Sequence, residues 1–177
     1  MAWIPKYNTQ FVEPIITNLL VYIKAHIPDA LLWANGGSAQ LPAPAATAIF
    51  NSTIGLEQET FPDLMVWKVT SPQLDEAGDA SEVRELHHIM FCFELTGSDV
   101  TELTTRQWRY MKAYDSVCRA IPNASLYAGM PGTGHGAVEV INHDYGMPRK
   151  FKSGDYLRVG MFTVALAMSE SRNNSFV

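Results

Sequence analysis

Apolar residues recur at three- and four-residue intervals between Phe11 and Ile27: Phe11, Ile15, Ile16, Leu19, Leu20, Ile23 and Ile27. That spacing is one face of an amphipathic helix. Pro14 suits the first turn, where its missing N–H costs nothing, and Pro28 is expected to end the helix by disfavouring helical geometry at Ile27. A second stripe runs through Leu103, Gln107, Tyr110, Met111, Tyr114, Val117, Cys118 and Ile121. Asp99 and Glu102 stand at capping-box spacing before it, with Asp in place of Ser or Thr, and Pro122-Asn123 stops it. Arg106, Arg109, Lys112 and Arg119 give its solvent side a basic character.

Between and beyond these stripes the period changes to two. Leu64–Thr70, rich in β-branched and aromatic residues, predicts a strand. Leu86–Leu95 predicts another, with Ile89, Phe91, Phe93 and Leu95 on the core face and His88, Met90, Cys92 and Glu94 opposite. Ala137–His143 and Tyr156–Met168 complete the set. Residues 35–60 lose regularity: Asn35-Gly36-Gly37-Ser38 is turn chemistry and Leu41-Pro42-Ala43-Pro44 reads as extended. Ile49, Phe50, Ile54 and Leu56 there are too apolar to leave in water, and a short hairpin is one way to bury them. Ser71–Glu85 is an acidic connector expected to be an exposed loop, and residues 169–177 form a polar tail expected to fray. Helix, loop, two strands, helix, two strands predicts one α+β domain over residues 1–177. Its core is a four- to five-stranded mixed or antiparallel sheet with two helices on one face, and 35–60 is a loop or arm.

Composition narrows the functional classes. With 47% hydrophobic and 18% charged residues, the 177-residue chain can build a real core. The formal charge is -5 and no run of Lys or Arg exists to neutralise phosphates, which argues against a duplex-gripping protein. A mild acidic excess suits equally a surface that DNA must pass without sticking and an ordinary acidic globule. Cys92 and Cys118 lie in apolar stretches and read as small buried hydrophobes rather than a disulfide framework. The first residues lack a secretory pattern and no stretch approaches the ~20 apolar residues of a membrane span, so a reducing, aqueous compartment is expected.

The candidate chemistry is thin. Gly129–Gly136 looks like a phosphate cradle, but Pro131 removes a donor, no Gly-Lys-Ser/Thr follows, and the next residues read as strand. His87 and His88 are adjacent in a strand and point to opposite faces, so they cannot share a metal. His135 and His143 can meet across a hairpin, with Asp144 the only carboxylate nearby in sequence. Gly97-Ser98-Asp99 occupies the place of a nucleophile elbow without the Gly-x-Ser-x-Gly pattern, and a helix cap explains it. No cofactor or metal is implied. Trp3, Tyr7, Trp33, Phe50, Phe61, Trp67 and Trp108 fall largely in termini and loops or flank the core faces, where aromatic residues either serve protein–protein contacts or belong to the core.

The layout resembles the tail-terminator, or tail-completion, proteins of long-tailed bacteriophages. The pieces that carry the resemblance are the helix around Ile15–Ile27, Phe61-Pro62-Asp63-Leu64-Met65-Val66 leading a strand, and His87–Leu95 as its partner. They continue with the helix around Trp108-Arg109-Tyr110-Met111-Lys112-Ala113-Tyr114 and the closing strand Tyr156–Met168. The resemblance implies a non-enzymatic virion protein, assembled in the host cytoplasm. Members form a hexameric ring that caps the finished tail tube, stops its polymerisation and joins the head connector or stopper. The implied partners are other copies of the chain, the tube protein, the connector, and DNA crossing the lumen without specific binding. Asp75, Glu76, Asp79 and Glu82 of the acidic connector are the candidate channel lining. A different class, a small ligand- or nucleotide-binding enzyme using Gly129–Gly136, is the alternative.

Overall fold

The structure is a computed structural model that describes residues 12–37, 41–45, 48–50, 61–69, 73–75, 82–129 and 138–171. Its first helix, α1 (Val12–Ala34), buries Ile15, Ile16, Leu19, Leu20, Ile23, Ile27 and Leu31 along one stripe. The stripe runs straight through Pro28, so the expected stop at Ile27 is wrong. An interior proline costs ~3 kcal/mol. Ile27 and Leu31 flank it, both essentially inaccessible to water, and burying side chains of that size returns ~1.5–3 kcal/mol each. Packing outweighs the local penalty. The helix ends instead at Asn35-Gly36-Gly37, where the Gly36 N–H donates to the Trp33 carbonyl at 3.0 Å and Gly37 to Leu32 at 2.9 Å. Gly36 and Gly37 have φ of 74° and 73°, the left-handed geometry that a glycine C-terminal cap supplies at least cost.

By length and composition α1 could cross a membrane, against the expectation that no stretch comes close. Its stripe is committed to the protein's own core, however, and merges with the buried face of α2 (Val100–Ala120). Helix α2 buries Leu103, Gln107, Tyr110, Met111, Tyr114, Val117 and Cys118 of the predicted stripe, while Ile121, the last of it, is the buried residue just past the helix end. Asp99 caps it, its Oδ1 accepting from the N–H groups of Thr101 at 2.7 Å and Glu102 at 3.1 Å. A one-turn helix, α3 (Asn123–Leu126), follows Pro122. Asn18 of α1 holds it by donating to the carbonyls of Leu126 and Ala128.

The sheet is mixed, with five strands side by side as expected. Strands β1 (Ile49–Phe50), β2 (Leu64–Val69), β4 (Glu82–Gly97), β7 (Tyr156–Ser171) and β5 (Val138–Tyr145) lie side by side in the order β1-β2-β4-β7-β5. Two short strands lie off that path: β3 (Gln73–Asp75) pairs with β4, and β6 (Arg149–Lys150) with β7. Among the described strands β1–β2 is the parallel pair, and the other pairings are antiparallel. In the described part of residues 35–60, Ile49–Phe50 pairs with β2; the remainder of the hairpin envisaged there lies outside the described residues. Leu41, Ala48 and Ile49 of that stretch are buried, and the Tyr110 hydroxyl donates to the Pro42 carbonyl. These parts of the segment therefore pack on their own domain; Ile54 and Leu56 lie outside the described residues. The connector Ser71–Glu85 is not simply a loop, because β3 and the start of β4 lie within it. Likewise β7 reaches Ser171, three residues into the tail expected to fray.

The long β4–β7 ladder keeps its register from Glu82↔Ser171 to Gly97↔Tyr156. On the helix-facing side it pairs Ile89 with Val164, Phe91 with Phe162 and Phe93 with Gly160. Phe93 uses the missing side chain of Gly160: an added Cβ there would lie 2.2 Å from the Phe93 ring. Settled over the bare backbone, the ring meets Tyr114 of α2 at 5.2 Å and Tyr110 at 6.1 Å between centroids. Tyr114 in turn meets Phe162 at 5.6 Å. Helix α2 also hydrogen-bonds the same strand, the buried Gln107 side chain donating to the Val159 carbonyl at 2.6 Å. The Arg158 guanidinium reaches Thr104 on α2 at 2.6 Å and the Gly146 carbonyl at 2.7 Å.

Gly160→Ala should overpack this seat at a cost of about 1–3 kcal/mol, lowering Tm by several degrees in a thermal melt. The penalty should shrink when Phe93→Leu is added, since the smaller side chain vacates the space. Additive losses in that double-mutant cycle would show that the ring and the glycine do not interlock.

Candidate interaction surfaces and a buried carboxylate

The aromatic residues singled out in the sequence divide into three groups. Trp3 and Tyr7 lie outside the described residues. Phe50 sits on β1 and Phe61 is half-buried just before β2. Trp33, Trp67 and Trp108 are displayed, with 54%, 44% and 59% of their surface accessible. Trp67 stands at the bulge of β2, where the register with β4 slips between Val66 and Lys68. A bulge adds a residue that the ladder cannot pair and re-aims its side chain.

Trp33 and Trp108 belong together. The Lys112 ammonium lies 4.1 Å from the centre of the Trp33 ring, and Trp108 precedes Lys112 by one helical turn on the same face of α2. The fold thus turns two residues far apart in sequence into one aromatic–cationic surface across α1 and α2, bordered by the exposed Leu32. Large aromatic side chains in such a setting are the residue type that dominates binding energy at protein interfaces.

A second exposed apolar strip was not foreseen. It follows β5, the outermost strand on its side of the described sheet, and the turn beyond it, through Ile141, Tyr145, Met147 and Phe151, with Met147 83% accessible. Its sequence signal was weak because β5 has a bulge between Val140 and Asn142, which breaks the alternation that flags a half-buried strand. The edge is pinned to α2 by charge. Arg119 pairs with Asp115 at 3.0 Å and donates to the Val140 carbonyl at 2.9 Å, and His143 contacts the other Asp115 oxygen at 3.1 Å. The partner of His143 is therefore Asp115, 28 positions back, and not Asp144 beside it; His135 lies outside the described residues.

Of the acidic set, Asp75 is on β3 and Glu82 begins β4, both in the sheet rather than in a loop; Glu76 and Asp79 lie outside the described residues. So does most of Gly129–Gly136, whose first residue closes the turn after α3 with φ 78°. Ser98 is exposed beside the capping Asp99. Cys92 and Cys118 are free, buried thiols, and burial raises the pKa of each, Cys92 to about 12. Such thiols stay protonated and unreactive at neutral pH. Among the described residues no three His, Cys, Asp or Glu side chains gather as metal ligands.

Asp63 is the chemically unusual group, which the sequence reading took only as part of the lead-in to a strand. It immediately precedes β2 with none of its surface accessible. One carboxyl oxygen accepts the Glu94 N–H at 2.9 Å, while its own N–H donates to the Glu94 carbonyl at 3.3 Å. The other oxygen has no hydrogen-bond partner among the described residues. Burial first, and the nearby Glu94 carboxylate second, push the Asp63 pKa up to about 7. Burial raises Glu94 as well, opposed by Arg149. Two carboxyl groups with raised pKa values are a familiar acid–base arrangement, but full burial keeps Asp63 from any substrate. Its geometry is that of a side chain closing the open end of a strand pair.

No protein-family model and no curated protein matches this sequence. Among solved structures the chain is similar to one in the "Virion of native gene transfer agent (GTA) particle". The two are 11% identical with a TM-score of 0.33, and the match covers 84% of this chain and 98% of that chain.

Asp63 makes stability depend on pH in a defined sense. Its folded pKa lies above the unfolded value near 3.8, so the folded state holds a proton that the unfolded chain releases. The stabilisation is complete below pH ~4 and is lost as pH rises through about 7. Thermal melts should show Tm declining across that window, and Asp63→Asn should flatten the decline. Equal slopes in the two proteins would rule Asp63 out as its source.

Proposed function

We propose that this chain is a structural protein of a phage-like virion, a ring-forming subunit at the head–tail junction. There it caps the tail tube, stops its polymerisation and joins the tube to the head connector. The observation that carries this reading is the Trp33–Lys112–Trp108 surface. A chain of this size has ample core in which to hide tryptophan, yet it displays two of them beside a lysine on the outside of its helical layer. An exposed aromatic surface of that kind is explained by a protein partner. Among the described residues β5 is an edge strand, and a repeated assembly can cover such an edge with its neighbour. The resemblance in layout to tail terminators supplies the ring and the place in the particle.

In this reading the protein acts through contacts and not through turnover. Asp75, Glu76, Asp79 and Glu82 border the lumen, where like charge keeps the DNA backbone from adhering as it passes.

Light scattering should show oligomers, hexamers foremost, at high protein concentration or when tube protein is added. Trp33→Ala and Trp108→Ala should each raise the concentration needed for assembly by roughly tenfold or more, with only small changes in Tm. A wild type that remains monomeric under both conditions would sink the ring. Separately, replacing Asp75, Glu76 and Asp79 by lysine should leave the ring intact and slow DNA passage, read as DNA release from assembled particles. Unchanged release would remove these residues from the lumen.

A further inference from the structure

Two exposed surfaces of the molecule are alike in apolar content and opposite in charge. On the helical layer, Trp108 and Lys112 share the outer face of α2, with Arg109 half-buried beside them. Trp33 and Leu32 carry that surface onto α1. The two bases there stand against Asp29, one helical turn before Trp33.

On β5 the sign is reversed. Glu139 and Asp144 are exposed, and they pair with Ala165 and Met161, which alternate along β7 with the core residues Val164 and Phe162. Both carboxylates therefore stand on the sheet face away from the helices. Ile141 and Tyr145 display apolar surface along the same edge. Arg119, the base that senses Glu139, is already paired with Asp115. Beyond Tyr145 the hairpin tip, residues 146–155, turns basic with Arg149, Lys150 and Lys152, which sets the limit of the acidic stretch.

This edge is suited to being covered by side chains rather than lengthened by another strand. The bulge between Val140 and Asn142 interrupts the regular run that strand addition needs. The Arg119 guanidinium also occupies the Val140 carbonyl, at 2.9 Å. A helix laid over the edge is one of the ways in which proteins protect such a strand.

We infer that the α1–α2 surface of one copy covers the β5 edge of the next. Arg109 and Lys112 meet Glu139 and Asp144, while Trp33 and Trp108 lie against Ile141 and Tyr145. The contact joins two different surfaces and is therefore heterologous, so it repeats from copy to copy or closes into a ring. Like surfaces are kept apart: helix on helix sets bases against bases, and edge on edge sets acids against acids. This inference rests on the ring reading and names the contact between neighbours.

The test is charge reversal in the full chain, with circular dichroism to check folding and light scattering to read assembly. Arg109→Glu with Lys112→Glu, and separately Glu139→Lys with Asp144→Lys, should each raise the concentration for assembly roughly tenfold or more. Mixing the two reversed proteins should restore it, since each then meets an opposite charge at both of its surfaces. A chain carrying all four changes should also assemble. A second measurement leaves the charges in place. Thr105→Cys and Asn142→Cys in one chain, treated with a bismaleimide, should give a ladder of covalent multimers, whereas Asn142→Cys alone should stay uncrosslinked. The native thiols are buried and do not compete. A wild type that never assembles would overturn the ring and this contact together. A wild type that assembles while both reversed proteins do so equally well overturns the contact alone. Dimers from Asn142→Cys alone would place edge against edge and also overturn it. Where a reversed protein does not fold, an assembled double-cysteine chain that yields no ladder overturns the contact. Reversed proteins that assemble normally but lose the tube protein assign these surfaces to the tube, with the same consequence.

Discussion

The seating of Phe93 on Gly160 is the constraint on which the rest of the molecule depends. At this position the Phe93 ring lies over the bare backbone of Gly160, in space that a side chain there would occupy. From there the consequences spread outward. The ring fixes where Tyr110 and Tyr114 rest, they fix the height of α2 over the sheet, and α2 carries the buried stripe of α1. Interiors are packed to crystalline density, so one filled seat transmits its geometry through the layer. Gln107 and Arg158 make that geometry specific with hydrogen bonds to fixed backbone and side-chain partners.

This construction leaves two kinds of surface. The inner faces of helices and sheet are consumed by the core. What remains outside is unusually apolar in two places: the Trp33–Trp108 surface over the helices and the strip along β5 into the hairpin tip. They lie on different elements, one on the helical layer and one at a sheet edge. A subunit that meets a neighbour on each side requires such separate surfaces, whereas a two-fold dimer can reuse one. The proposed ring uses surfaces of this kind and needs no chemistry from the buried groups. Asp63 fits the same division of labour: its carboxyl serves the backbone of β4 and is closed to solvent.

Much of the fold was legible in the sequence because the periods are clean. The stripe of α2 and its Asp99 cap, the core face of β4, the burial of both cysteines and the α+β order could all be read from spacing. Boundaries were less legible. Pro28 is a strong local stop signal, but a stop signal states only a local cost, and Ile27 and Leu31 on either side recover it through contacts that the sequence does not display. The acidic stretch before β4 read as loop because charge is a poor strand signal, yet β4 and β7 carry their pairing on to Ser171. The candidate surfaces were half legible. Trp33 and Trp108 stood out by residue type, but their union through Lys112 depends on how α1 crosses α2. Met147 and the basic tip were hidden in a turn-rich stretch with no pattern.

The sequence by itself determined the alternation of periods, and with it which residues face inward, because burying apolar surface is a local demand that each helix and strand must meet. Tertiary structure alone decided the partners: Phe93 with Gly160, His143 with Asp115, Asp63 with Glu94, β1 parallel to β2. Those pairings join positions tens of residues apart. They are selected by the shape of the space left when the layers close, which no short stretch of the chain can specify.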